Sequence, residues 1–135
     1  MGYYSMMEPC SFKSRLSQEE IEERFKAFLE AREGDRGYLE FYSFRRFPDG
    51  TVEVVPEGGD YFAKHYASDA LAEFISAVIA PGHHALLEFT GEDGERWGYL
   101  ITPGRVEEVI YLRCVRRNGR LAPVEEVIEE ILKNA

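Results

Sequence analysis

Between His84 and Arg117 the chain reads as three consecutive strands: His84–Thr90, Glu95–Thr102 and Val106–Arg117. Gly91-Glu92-Asp93-Gly94 separates the first pair and Pro103-Gly104 the second, and both spacers have turn chemistry. Successive side chains of a strand point to opposite faces. Trp97, Tyr99 and Ile101 therefore share one face of the second strand, and Arg96, Gly98, Leu100 and Thr102 share the other. In the third strand Ile110, Leu112 and Cys114 alternate with Val109, Tyr111 and Val115. A meander that is apolar on both faces must be covered on both, so the remaining segments are expected to supply those layers.

Three segments have helical periodicity. Ser17 and Glu20 have capping-box spacing, and Ile21, Phe25, Phe28 and Leu29 form the apolar stripe behind them. Ser68 is placed to cap a second helix whose stripe is Leu71, Phe74, Ile75, Val78 and Ile79. Pro123 suits the first turn of a third, in which Val124, Val127, Ile128, Ile131 and Leu132 oppose a Glu-rich face. A strand opening at Gly37 and running to Phe47 turns at Pro48-Asp49-Gly50 into Thr51–Val55. Asn118-Gly119 marks a further tight turn.

The predicted order is helix, two strands, helix, three strands, helix. It implies an α+β fold in one domain over 16–135, an antiparallel five-stranded sheet with helices packed on it. Residues 1–15 lack periodicity and are expected to form a partly ordered N-terminal arm. The element order resembles profilin-like and roadblock-type architectures, a likeness of topology that implies no particular activity.

Composition narrows the function classes. The net charge is −9 and the pI about 4.9, which opposes nucleic acid and anionic membrane surfaces as partners. There is no apolar run of about 18 residues, and no secretory signal pattern, so a cytoplasmic protein is expected. Cys10 and Cys114 lie far apart, and Cys114, in a strand that reads as central, is expected to be a buried structural thiol. The three histidines, His65, His83 and His84, show no metal-ligand spacing, so neither metal nor cofactor is expected. Gly58-Gly59 is too short for a phosphate loop.

With no catalytic constellation in the sequence, the leading expectation is a non-enzymatic interaction module that binds a protein partner or a second copy of itself as a homodimer. The alternative is a small-molecule-binding protein or enzyme. Its pocket would lie between the irregular 56–67 loop, carrying Asp60, His65 and Tyr66, and the strand carrying Trp97 and Tyr99. A third class is an acidic inhibitor or immunity-type protein steered to a basic partner.

Overall fold

A computed structural model describes residues 2–135. The chain is an α+β domain whose strands are shared among three antiparallel sheets. It opens with β1 (Ser5–Met7) and β2 (Ser11–Lys13), followed by α1 (Gln18–Ala31) and the helical turn α2 (Arg36–Leu39). Next come β3 (Tyr42–Arg46), β4 (Thr51–Pro56), a 3-10 turn at Glu57–Gly59 and β5 (Phe62–Ala63). After α3 (Ser68–Val78) lie β6 (Ala85–Gly91), β7 (Arg96–Thr102), β8 (Arg105–Val109), β9 (Cys114–Arg117), β10 (Arg120–Pro123) and α4 (Val124–Lys133).

A five-stranded sheet is present, but its membership differs from the expected one. Its order is β5-β1-β6-β7-β8, while the β3–β4 hairpin belongs to a separate sheet ordered β2-β4-β3. The N-terminal segment supplies a strand to each. Ser5, Met6 and Met7 pair with Gly91, Thr90 and Phe89, and Ser11, Phe12 and Lys13 pair with Glu53, Val52 and Thr51. Pro9 lies between the two, where the chain leaves one sheet for the other. The expected arm is thus part of the core: Met7, Cys10 and Phe12 are all buried. Three-residue strands are too short to show a period of two in the sequence, which is why nothing announced them.

The helix α3 joins the two larger sheets. Ala70, Leu71, Ala72, Phe74, Ile75, Ser76 and Val78 are all buried, so the helix has almost no solvent face. Phe74 meets Phe25 and Phe28 of α1 and Phe44 of β3, with ring centroids 4.9, 5.4 and 5.1 Å apart. On its other side α3 packs against β7 and β8. The predicted capping box at the start of α1 is present: the Glu20 amide donates to the Ser17 hydroxyl (3.2 Å) and the Ser17 amide to the Glu20 carboxylate (3.1 Å).

Two strand expectations require correction. The segment opening at Gly37, expected as one central strand because both its faces are apolar, first makes a helical turn, and β3 is an edge strand. The predicted strand Val106–Arg117 is two strands. β8 ends at Val109, residues 110–113 cross back, and β9 pairs only with β10 in a separate hairpin. Cys114 is accordingly exposed, and both cysteines are free thiols. The hairpin turns at Asn118 and Gly119, with φ of 49° and 76°, the left-handed pair that a tight two-residue turn demands.

Candidate interaction surface

The five residues singled out in the sequence have separate placements. The His65 ring is 3% exposed. Its Nε2 lies 2.8 Å from the Tyr61 carbonyl, which can only accept, so that nitrogen carries the proton. Nδ1 is then the acceptor for the buried Tyr42 hydroxyl. Burial raises the Tyr42 pKa, keeping its proton in place, and desolvation lowers that of His65, opposed more weakly by the Tyr61 carbonyl and the Asp60 charge. Both ring nitrogens are thus committed inside the core, and His65 is a neutral structural residue.

Trp97 and Tyr99 converge on one hydroxyl. The Trp97 indole N–H donates to Ser68 Oγ (3.2 Å), and the Tyr99 hydroxyl lies 3.0 Å from the same oxygen. Ser68 is the first residue of α3, with Ala67 in the cap position, so it ties the helix to β7 rather than capping it. Phe89 stacks on Trp97 at 5.3 Å and touches the His65 ring at 5.1 Å. His65 and Trp97 are therefore within one ring of each other, and what lies between them is Phe89. The Asp60 carboxylate accepts from the Phe62 amide (3.2 Å), closing its own turn. Tyr66 is 45% exposed, and its hydroxyl accepts from the Tyr3 amide (2.6 Å).

The largest departure from a closed fold is at the C-terminus. Of fourteen large hydrophobic side chains exposed among the described residues, seven lie in the last 26 positions. They are Ile110, Leu112, Val115, Leu121, Ile128, Ile131 and Leu132. The helix α4 packs on β9 and β10 and buries Val127, while Ile128, Ile131 and Leu132 are 43%, 56% and 69% exposed. Its stripe has the expected periodicity, and only one end of that stripe is covered. The Ile128, Ile131 and Leu132 stripe is exposed apolar surface of the kind that marks interaction sites in soluble proteins.

One side chain fastens this unit to the domain. Tyr111, in the crossing segment, lies over Gly98 of β7, where a Cβ would come within 2.6 Å of its hydroxyl and 2.9 Å of the Leu87 carbonyl. The hydroxyl donates to Glu88 Oε2 (2.5 Å), and the Arg96 guanidinium sits 4.4 Å from the ring centroid. Desolvation and the Glu88 carboxylate push the Tyr111 hydroxyl up to about 12. Beside this latch is an open cleft of about 500 Å³ lined by Gly94, Glu95, Arg96, Tyr111, Leu112 and Arg113.

The charges of the unit follow a pattern. Arg113 pairs with Glu125 (3.3 Å) and Arg117 with Glu130 (2.8 Å), holding the hairpin against the helix. Arg116, Arg120, Glu126 and Glu129 have no ion-pair partner among the described residues. No group of three or more metal-ligating side chains is assembled among the described residues, and no helix is long and apolar enough to cross a membrane. Comparison with known proteins finds no matching family model, no similar curated protein and no matching solved structure.

Proposed function

We propose that this chain is a protein-interaction module of the cytoplasm and that its binding surface is the β9–β10–α4 unit with the crossing segment before it. The observation that carries this reading is the exposure of Ile128, Ile131 and Leu132 along one stripe of α4. Leaving that stripe in water forgoes roughly 25 cal/mol for every Å² of apolar surface that a partner would cover. The two free thiols fit a reducing compartment. The pocket reading has less support, because His65, Trp97 and Tyr99 are engaged with one another's neighbours and do not line the cleft beside Tyr111.

The test is a comparison of baits. Wild-type chain and the Ile131→Glu variant are immobilised and exposed to native cell extract. A module working through α4 loses its bound protein on substitution, whereas an identical bound set from both baits would remove the reading.

A further inference from the structure

The β8 edge of the five-stranded sheet is open, and the ladder shows which backbone groups it presents. The Gly91 amide donates to the Glu95 carbonyl (2.7 Å), so these two form a hydrogen-bonded pair. Bonded and non-bonded pairs alternate along an antiparallel ladder. Trp97, Tyr99 and Ile101 therefore bond to β6, while Gly98, Leu100 and Thr102 bond to Val109, Glu107 and Arg105 of β8. Val106 and Glu108 are left with N–H and C=O pointing away from the sheet. Among the described residues, neither finds a backbone partner elsewhere.

The other edges of the two larger sheets are covered or short. On β3 the Gln18 side-chain amide donates to the Phe44 carbonyl (2.7 Å) and accepts from the Arg46 amide (2.8 Å), standing where a neighbouring strand would. On β2 the Lys13 carbonyl accepts from the Ala80 amide (2.7 Å). β5 is two residues long. β8 has five residues, of which Arg105, Val106, Glu107 and Glu108 are exposed, and no such cover. An edge in that state is a template for an added strand.

We propose that the β8 edge takes up an extended basic segment of a partner protein as an added strand. This surface is distinct from the α4 stripe and does not depend on it. Charge selects the occupant. β8 sets one arginine against Glu107 and Glu108, and Arg105 is already paired with Glu107 (2.9 Å). On the α3 side of the strand Glu108 stands with Asp69, and both carboxylates add to the burial that raises the Tyr99 pKa. The whole chain carries −9. Lysine or arginine on the incoming strand is therefore attracted at long range and matched at contact. A second copy is the poorer occupant. Its body is equally acidic, and the two-fold register that joins Val106 of each copy to Glu108 of the other sets Glu107 directly opposite itself.

The probe is a synthetic peptide of alternating lysine and valine, roughly eight residues long, with an equal peptide of glutamate and valine as its counterpart. Amide exchange of the full chain is followed residue by residue by NMR. In the free chain Val106 and Glu108 should exchange fast beside slower Arg105, Glu107 and Val109. The basic peptide, titrated over about 10 µM to 1 mM, should slow Val106 and Glu108 at least about tenfold. Val106→Pro removes an outward amide without touching the β7 ladder and should abolish this protection. Should that variant fail to fold, Glu107→Lys/Glu108→Lys decides: it should weaken the basic peptide at least about tenfold and favour the acidic one. Binding of the basic peptide without protection of Val106 and Glu108 is charge attraction alone and overturns the proposal. So does equal protection by the acidic peptide, or no binding by either. Protection that rises with the concentration of the chain alone would give the edge to a second copy and overturn it as well.

Discussion

The α3 and α4 helices have similar apolar stripes in the sequence and opposite surroundings in the fold. Phe74, Leu71 and Ile75 of α3 are at most 1% exposed, while Ile131 and Leu132 of α4 are more than half exposed. Periodicity states that a helix has a face to bury; it does not state what will bury it. For α3 the answer lies within the chain, in α1, β3 and β7. For α4 it lies only partly there, and the remainder is what a partner would provide.

The thiols give the sharpest contrast between the two regions. Burial raises the Cys10 pKa to about 12, with a smaller contribution from the Glu88 carboxylate, whereas Cys114 stands in solvent on β9. A thiolate-specific reagent at pH 8 should modify Cys114 rapidly and Cys10 only through unfolding, a rate ratio on the order of a thousand or more. Mass spectrometry of the partly labelled protein reads this directly. Equal labelling would mean that the β2 region opens as readily as the C-terminal hairpin, erasing the distinction.

Next in size is the energetic contrast between the helices themselves. Phe74→Ala should cost about 3–5 kcal/mol in urea unfolding, since it removes the ring at which α1, α3 and β3 meet. Leu132→Ala should cost less than about 0.5 kcal/mol at low protein concentration, where its side chain is 69% in water. Comparable losses at both positions would show that α4 is covered within the single chain.

Gly98→Ala addresses the latch between the regions. The new methyl group would meet the Tyr111 hydroxyl and the Leu87 carbonyl, and the carbonyl belongs to a paired strand that cannot retreat. We expect a loss of about 1–3 kcal/mol and faster amide exchange throughout residues 110–135. Tyr111→Phe should loosen the same segment with a smaller loss of stability. If exchange there is unchanged in both variants, the Tyr111 contact does not hold the unit in place.

Particular residues show where the sequence was readable. The capping box of α1, the stripe of α3, the β6–β7–β8 meander and the Asn118-Gly119 turn all carry local chemistry that fixes local geometry, and they are present. The errors share a different character. No Gly or Pro marks the break at Ile110–Arg113, so the alternating run appeared to continue to Arg117. That misreading put Cys114 in a core strand. Tyr38 and Leu39 looked like strand residues because aromatic and apolar neighbours suit either conformation, and the tertiary context made them a helical turn. Among the candidate site residues, nothing local in the sequence sets the His65 loop beside the Trp97 strand. That Phe89 and Ser68 would fill and bind that space depends on strand pairing across the sheet, which has no local signature.

The smallest predicted effect is in the pH dependence of the closed region. His65 has a depressed pKa in the folded chain, so the unfolded chain binds its proton first as pH falls. Stability is then full above the unfolded value near 6.5 and declines as pH drops through the folded value, with a slope of at most about 1.4 kcal/mol per pH unit. The lowered pKa values of Glu20, Asp49 and Asp93 also withdraw stability, but only below the ordinary carboxylate range, so the interval from about 6.5 to about 5 belongs to the imidazole. His65→Gln, whose amide oxygen can still accept from Tyr42, should flatten that interval while leaving the lower one intact. A slope that persists in the variant would place the titrating group elsewhere.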